Sequence, residues 1–392
     1  MIKHYLKLIW NRKRTSKWIV AEFALSFLAV CGAMTAFFHF YQLYQIPLGF
    51  EYRDKWQIRF QMPSQGSEAQ IKELFRIRDD LEGFGPIQSV SVMQMLPFMN
   101  STWSSTTTYN GKDVNAVHNF MDDKAQAILG IQLLEGRWFG PQDDGSDEYP
   151  VVIDSLLKEQ LFPDGNALGQ LISDPDDSML KRVVGVMPRF RQHGELAVCR
   201  PYVIVRADPN KEAPLPSRNL VLKMDGSQTP EFEATLAKKL EAMAPSWNFN
   251  ISNWIDQREN HLKPTLIPLY IMGIIISFML LMVGLGLLGV LWQNVLQRVQ
   301  EIGLRQAIGA SKVDVLKQIA WEMVIKTGLG IAIGMVLALQ VPLLAPLPVI
   351  RTVWVAAFVG SALVLVLLTL LCSSYPAFLA SRIEPALALK DE

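Results

Sequence analysis

Residues 266–296 read LIPLYIMGIIISFMLLMVGLGLLGVLWQNVL, a run of 31 residues without a charged side chain. A helix needs about 20 predominantly apolar residues to cross the hydrocarbon core of a bilayer. The stretch therefore predicts a membrane-spanning helix. It also sets the fold class, because backbone polar groups within lipid must be hydrogen-bonded inside the segment that carries them.

Three further apolar stretches predict spans at 18–44, 321–347 and 353–375. The first of these is too long for the apolar region of a signal peptide, and the bulky residues 41–44 do not suit a cleavage site. We therefore expect it to be retained. The spans are arranged as one, then three, with residues 45–263 between the first and the second.

Charge is distributed unevenly along the chain. Half of the residues are hydrophobic and 19% are charged, which is below the roughly 25% charged residues of soluble chains. Residues 51–263 hold 23 Lys and Arg against 30 Asp and Glu, although the whole chain has a formal net charge of zero. An acidic centre between apolar ends favours membrane lipids as partners and argues against nucleic acid, whose binding needs a basic face.

Lys and Arg near the span ends predict the orientation. They are concentrated in residues 1–17 and in the 298–317 loop, with two more in the tail, 376–392. Because basic loops stay in the cytoplasm, we expect both termini and the 298–317 loop to be cytoplasmic and residues 45–263 to lie outside. Residues 1–17 either lie flat on the inner leaflet or only set the topology.

The middle segment mixes helical and strand patterns. Apolar residues recur at helical spacing in 68–81 and 230–243, and short β-branched runs at 151–153, 183–186 and 202–205 are typical of strands. We therefore predict a multi-pass α-helical membrane protein with four transmembrane helices and a large α+β extracytoplasmic domain inserted between helices 1 and 2.

Glycines in the apolar spans predict helix packing. Gly284, Gly286 and Gly289 form a G-x-G-x-x-G pattern, but it lies inside a span and not between a strand and a helix, as a dinucleotide site requires. Gly330 and Gly334 have the G-x-x-x-G spacing of close helix–helix contacts.

Few residues suggest chemistry of their own. Glu22 lies one turn inside the first span, where an intramembrane carboxylate has either a structural or a functional role. The 140–150 segment carries four acids that either attract a cation or form a solvated loop. The five histidines match no metal spacing, and the 392 residues contain no P-loop. We predict no catalytic or metal-binding residue and no cofactor bound by this chain.

The cytoplasmic loop is the most informative short segment, because its apolar and small residues form either a docking helix or a plain loop. Its candidate docking residues are Glu301, Ile302, Gly303, Leu304, Arg305, Gln306, Ala307, Ile308, Gly309, Ala310 and Ser311. The segment resembles the E-I-G-L-R-x-A-x-G-A-S block of the permease subunits of MacB/FtsX-type ABC transporters, which include the lipoprotein-releasing permeases. Residues 375–389 resemble the P-A-x-x-A-S ending of that family, and residues 130–186 resemble its external core domain.

The resemblance implies a function for the whole chain. Two permeases, either identical or paralogous, would sit above a dimer of ABC ATPase subunits that binds ATP and Mg²⁺ and grips the coupling helix at 301–311. Since 17 residues precede the first span, we expect that ATPase to be a separate subunit. The spans would move the external domains in a bacterial inner membrane, a process called mechanotransmission. A periplasmic adaptor or outer-membrane channel is a further expected partner.

Three functions remain open from the sequence. The first is a non-catalytic permease subunit that drives export or extraction of an amphiphile, such as a peptide, antibiotic or lipoprotein. The second is an FtsX-like regulator that activates a cell-wall hydrolase and moves no substrate. The third belongs to another class, a membrane-anchored sensor or adhesion ectodomain.

Overall fold

The structure is a computed structural model with two compact units. A helical unit comprises Met1–Gln42 and Ile267–Glu392, and an α+β unit comprises Leu43–Leu266. The residues that the structure describes are 13–62, 68–163, 165–174, 179–209, 218–226, 229–296, 311–344 and 349–380.

Helices and strands alternate irregularly along the chain. In chain order they are α1 (Lys13–Gln45), β1 (Lys55–Gln61), α2 (Glu68–Leu81), β2 (Ile87–Met93), β3 (Ser104–Tyr109), β4 (Lys112–Met121), α3 (Ala125–Leu129), β5 (Glu135–Gly136), β6 (Tyr149–Asp154), α4 (Ser155–Leu161), β7 (Leu171–Ile172), β8 (Lys181–Met187), β9 (Tyr202–Arg206), β10 (Asn219–Met224), α5 (Pro230–Met243), β11 (Asn248–Asn253), α6 (Trp254–Leu296), α7 (Lys312–Ala338), α8 (Gln340–Leu344) and α9 (Arg351–Ala380). A 3₁₀ turn at Pro141–Asp143 precedes β6.

Among the described residues, four helical segments are long and apolar enough to cross a membrane: Lys17–Gln45, Trp254–Gly289, Ala320–Leu344 and Arg351–Ser374. Together with the α+β unit they confirm the predicted fold class. The helix of the second span begins at Trp254, 12 residues before the predicted start at 266. The hydropathy-based prediction left out residues 254–265 because these first turns of the helix are polar.

In the helical unit, α7 packs closely against α1 at two of its glycines. A Cβ added at Gly330 of α7 would lie 2.4 Å from Cβ of Phe23, and one at Gly334 would lie 2.9 Å from the Ala24 carbonyl oxygen. Neither position has room for a side chain unless a helix moves. By contrast, a Cβ at Gly289 of α6 would meet no atom within 4 Å.

Gly330→Val is therefore expected to destabilise the helical unit, whereas Gly289→Val is the matched control. Overpacking of a tight contact costs about 1–3 kcal/mol, so the melting temperature of the first variant should fall well below that of the control. Thermal unfolding of the full chain in detergent, followed by circular dichroism, measures both. Equal melting temperatures would show that α1 and α7 do not pack closely in the protein.

The α+β unit is built on one mixed sheet. Its described strands run in the order β11-β1-β10-β2-β4-β9-β6-β8-β5, with β3 added to β4 and β7 added to β8. Neighbours pair antiparallel except β4 with β9 and β6 with β8, which are parallel. β2 and β4 share a single paired position, Met93 opposite Met121, so the sheet consists of two halves with a narrow join.

Each face of this sheet has its own hydrophobic core. Successive residues of a strand point to opposite faces. Thus Leu220 and Leu222 of β10 lie in one cluster with residues of α2, α4 and α5, and Val221 between them lies in the other. The second cluster also contains Phe50, which follows α1, and Trp254, which begins α6. The sheet therefore has one helix-covered face and one face that meets the ends of α1 and α6.

Asp154, at the end of β6, connects α4 to the neighbouring strand β9. It is fully buried, caps α4 by accepting a hydrogen bond from the Leu157 amide at 2.9 Å, and accepts another from the Tyr202 amide at 3.0 Å. Burial raises its pKa to about 7, because loss of water disfavours the carboxylate more than the two amides favour it.

The raised pKa predicts a pH-dependent stability. Between about pH 4 and about pH 7 the folded chain keeps a proton at Asp154 that the unfolded chain has lost, so stability falls as pH rises, by up to about 1.4 kcal/mol per pH unit. Asp154→Asn should remove this slope, and Asp147→Asn, at an exposed carboxylate, should not. Thermal unfolding across this pH range tests the difference, and identical slopes in the wild type and Asp154→Asn would contradict it.

Candidate functional site

The last turn of α1 leaves main-chain carbonyl groups without partners inside the helix. Arg191, which is 3% exposed, satisfies two carbonyls at this point. Its Nη1 donates to the carbonyl oxygen of Leu43 at 2.6 Å and to that of Ile46 at 2.8 Å. A charged donor to a carbonyl makes a stronger hydrogen bond than a neutral one, so this guanidinium fixes where α1 ends.

The same guanidinium also organises its own loop, residues 188–201 between β8 and β9, which we call the clamp loop. Nη2 of Arg191 donates to the carbonyl oxygens of Glu195 at 2.5 Å and Ala197 at 2.8 Å. Burial lowers the pKa of Arg191, since desolvation disfavours the charged form. Hydrogen bonds to four carbonyl oxygens compensate the cost of burying the charge. They also connect the clamp loop to the end of α1.

The clamp loop also holds the beginning of α6. Nε of Arg258 donates to Oε1 of Glu195 at 2.6 Å, and the two side chains are largely buried. The Arg258 guanidinium also lies 5.0 Å from the ring centre of Tyr52, within cation–π range. One loop thus binds the end of α1 through Arg191 and the start of α6 through Glu195.

Aromatic packing reinforces this polar connection. The Phe50 ring lies 4.9 Å from Phe190 of the clamp loop, 5.8 Å from Phe98 and 6.1 Å from Trp254. We call Phe50, Arg191, Glu195, Trp254 and Arg258 the root cluster. Residues at the end of α1 and at the start of α6 thus contact the clamp loop through both aromatic and charged side chains.

Two backbone features mark the root cluster as a constrained site. Phe98 is buried with φ of 61° in the left-handed region, and its amide donates to the Gln192 carbonyl at 2.8 Å. Such a conformation in a bulky residue costs of order 1–3 kcal/mol and clusters at functional sites. Gly49 has φ of 84°, and a Cβ there would lie 2.2 Å from the Arg189 carbonyl oxygen, so only glycine allows the chain after α1 to meet the clamp loop.

Of the residues that the sequence singled out, the structure brings Glu22 and Gly286 together. Residues 301–310 of the predicted coupling helix lie outside the described residues, and Ser311 is exposed immediately before α7. In the helical unit, Glu22 faces Gly286, where an added Cβ would lie 3.2 Å from Oε1 of the carboxylate. Gly284 faces Cys372 at 3.4 Å by the same measure.

A second acid lies within a candidate span. The segment Ala320–Leu344 contains Glu322, whose Oε1 accepts from Nζ of Lys326 at 3.0 Å. Lys326 is 4% exposed. The predicted span 321–347 already contains Glu322 and Lys326, yet Glu22 alone was singled out from the sequence; the i to i+4 spacing of the pair is the signal that would have found it.

The acidic segment at 140–150 is largely neutralised by arginines. Asp143 pairs with Arg137, Asp144 with Arg206 and Glu148 with Arg182. The Asp143 pKa is held below its usual range by the Arg137 hydrogen bonds. These ion pairs fasten the segment to β8 and β9, and they favour a structural role over cation binding.

The fold and the root cluster define a multi-pass membrane protein in which a large inserted domain grips the ends of two membrane-capable helices. Two family descriptions match the sequence: MacB-like periplasmic core domain over residues 28–238 and FtsX-like permease C-terminal over residues 273–385. The chain belongs to the MacB/FtsX-like family of ABC transporter permeases.

Curated relatives agree with this assignment. The chain is 31% identical over 301 residues to a macrolide export ATP-binding/permease protein MacB of Rhodopseudomonas palustris, which covers 73% of this chain and 45% of that protein. It is 28% identical over 297 residues to the MacB of Escherichia coli K12, which covers 72% of this chain and 45% of that one. The chain spans less than half the length of these relatives.

The periplasmic region of MacB from Actinobacillus actinomycetemcomitans aligns over 54% of this chain and 94% of its own length, with a TM-score of 0.39 and 17% sequence identity.

Arg191→Leu should loosen both helix ends at once. Four carbonyl oxygens would lose a charged donor, at a cost of about 3 kcal/mol or more, so amides in 43–50 and 254–258 should exchange hydrogen faster than in the wild type. Arg191→Lys should give an intermediate effect, because an ammonium cannot span four acceptors. Hydrogen exchange with mass spectrometry on the full chain measures this.

Arg189→Leu is the matched control for that experiment. Arg189 lies on the same loop, but its partner Glu159 is 3.6 Å away and the two side chains are exposed. If Arg189→Leu and Arg191→Leu raised exchange equally, the root cluster would not depend on Arg191.

Proposed function

We propose that this chain is the permease subunit of an ABC transporter that converts ATP hydrolysis by a separate ATPase subunit into movement of its α+β unit. The observation that carries the proposal is the root cluster, in which one loop binds the end of α1 and the start of α6. A displacement of either helix reaches the clamp loop through side chains that are buried and hydrogen-bonded, and it is not absorbed by a flexible linker.

The energy source lies in a partner. The relatives are named ATP-binding/permease proteins, and these 392 residues contain no P-loop. ATP and Mg²⁺ are therefore bound by a dimer of ABC ATPase subunits in our proposal, and this chain performs no catalysis. The ATPases grip the coupling helix at 301–311, whose sequence carries the family pattern.

The membrane assembly contains two permeases, as a homodimer or a paralogous heterodimer, in a bacterial inner membrane. Both termini and the 298–317 loop face the cytoplasm, as the Lys and Arg distribution favours. The acidic α+β unit is then periplasmic or extracellular. A periplasmic adaptor or an outer-membrane channel is a further partner at that side.

The substrate in this proposal is an amphiphile, such as a peptide, an antibiotic or a lipoprotein, which is exported or extracted on the outer side of the membrane. The relatives are named macrolide export proteins, and this name supports an amphiphile as the substrate class. Mechanotransmission suits it, because a moving external domain can displace an amphiphile without a polar path through lipid.

Two variants test the two parts of the chain on which the proposal depends, the coupling helix and the clamp loop. Gly309→Trp adds bulk to the coupling helix, so the ATPase should no longer copurify with the permease. Arg191→Leu leaves that helix intact, so the ATPase should copurify, but the ATP-dependent change in hydrogen exchange at the clamp loop should disappear. Gly165→Trp, at a glycine with nothing within 4 Å of an added Cβ, controls for the bulk of tryptophan.

The outcomes separate the open functions. If Gly309→Trp leaves both ATPase association and ATP turnover unchanged, the proposal fails and a sensor or adhesion role replaces it. If ATP changes the clamp loop but vesicles containing the complex release no amphiphile, and a cell-wall hydrolase binds to the α+β unit, the chain is a signalling regulator.

A further inference from the structure

A small cavity lies where β1 ends, β10 begins and the chain leaves β2. Its volume is about 210 Å³. We call it the arginine pocket, and the residues that matter for its chemistry are Arg59, Phe60, Met95, Leu96, Met99 and Arg218. Gln61 and Ser101 also line it and are exposed, so the pocket is open to solvent on that side.

Both arginines of the pocket differ from most arginines of the α+β unit. Across the described residues, Arg78, Arg137 and Arg206 each pair with a carboxylate, whereas no such pair involves Arg59 or Arg218. The contrast is notable because acids outnumber bases in this part of the chain. No carboxylate occurs among the described residues that line the cavity, so two half-buried cations give it a positive charge in an otherwise acidic domain.

Arg59 is also poorly satisfied by the protein. Its Nη2 lies 3.0 Å from Sδ of Met99, which is a weak acceptor. Its Nε is buried and has no hydrogen-bond partner among the described residues. A buried charged donor without an acceptor is costly, so an external acceptor entering the pocket would satisfy a group that the fold leaves unsatisfied.

The rest of the lining is mixed, because Gln61, Gln94, Ser101 and Asn219 are polar whereas Met95 and Met99 are apolar. Phe60 and Leu96 are 1% and 0% exposed and Met95 is 7% exposed, so the apolar surface open to a ligand comes from half-buried Met99 and, to a smaller extent, from Met95. A volume of about 210 Å³ equals roughly seven waters at about 30 Å³ each, which is below the roughly 300–1,000 Å³ of sites that enclose a drug-sized ligand. The pocket therefore has room for one end of a ligand, with a charged group and a few carbons.

We infer that the arginine pocket binds the anionic end of an amphiphile, a carboxylate or a phosphate whose first carbons lie against Met95 and Met99. Planar guanidinium groups suit both anions, because each offers paired N–H donors to two oxygens. This binding does not depend on the proposed function.

The pocket shares a wall with the clamp loop. Nε2 of Gln192 donates to the carbonyl oxygens of Leu96 and Ser101 at 3.4 and 3.2 Å. These two residues line the pocket, and Gln192 follows Arg191 directly. Occupancy of the pocket is therefore expected to slow hydrogen exchange in the clamp loop, a consequence that rests on the proposed function.

The experiment measures binding of simple probes to the full chain in lipid nanodiscs, without any ATPase, by saturation-transfer NMR. Hexanoate should bind more tightly than acetate, which lacks the apolar chain, and hexylammonium should not bind. Arg59→Gln and Arg218→Gln should each weaken hexanoate binding about tenfold, as expected for loss of a charged hydrogen bond. Arg53→Gln, at an exposed arginine outside the pocket, should bind as the wild type does.

Hexyl phosphate is compared with hexanoate to distinguish the two anions. The probe that binds more tightly identifies whether the pocket prefers a phosphate or a carboxylate. Arg59→Lys controls for a folding defect, because it keeps the charge. It should bind hexanoate better than Arg59→Gln does, and its near-ultraviolet circular dichroism should match that of the wild type. Equal binding of hexylammonium and hexanoate, or full binding by Arg218→Gln, overturns the inference. If hexanoate binds but hydrogen exchange in the clamp loop does not slow, the binding site is supported and the proposed mechanical link between the pocket and the clamp loop is contradicted.

Discussion

Helix α1 ends with carbonyl groups that have no partner inside the helix, and the arrangement of the α+β unit depends on how Arg191 satisfies them. One buried guanidinium donates to Leu43 and Ile46 on one side and to Glu195 and Ala197 on the other. The clamp loop is consequently not a free connection between β8 and β9. It is the part of the sheet domain that binds the ends of two membrane-capable helices.

The two faces of the sheet carry different hydrophobic cores. One face is covered by α2, α4 and α5, whose apolar residues form a closed core. The other face receives Phe50 and Trp254, the residues that adjoin α1 and α6. A period of two along each strand makes both cores possible from the same strands, so a rigid sheet lies directly behind the root cluster.

Charges show most clearly how far sequence reasoning reaches. The acidic segment at 140–150 was visible from composition, yet its role followed from arginines far along the chain, such as Arg182 and Arg206. Glu322 and Lys326 lie inside the predicted span 321–347 and pair on one helix face, but this local pair was not singled out. Long-range pairing depends on the fold, and residue spacing carries no sign of it.

The sequence by itself determined the spans, the α+β class and the family, because hydropathy, helical periodicity and the short motifs are all local properties. It also placed helices at 68–81 and 230–243, where the structure has them. Only the tertiary structure decided the root cluster. Arg191 lies 148 residues from Leu43, and its acceptors are main-chain carbonyls, which are the same in every residue and therefore leave no trace in the sequence.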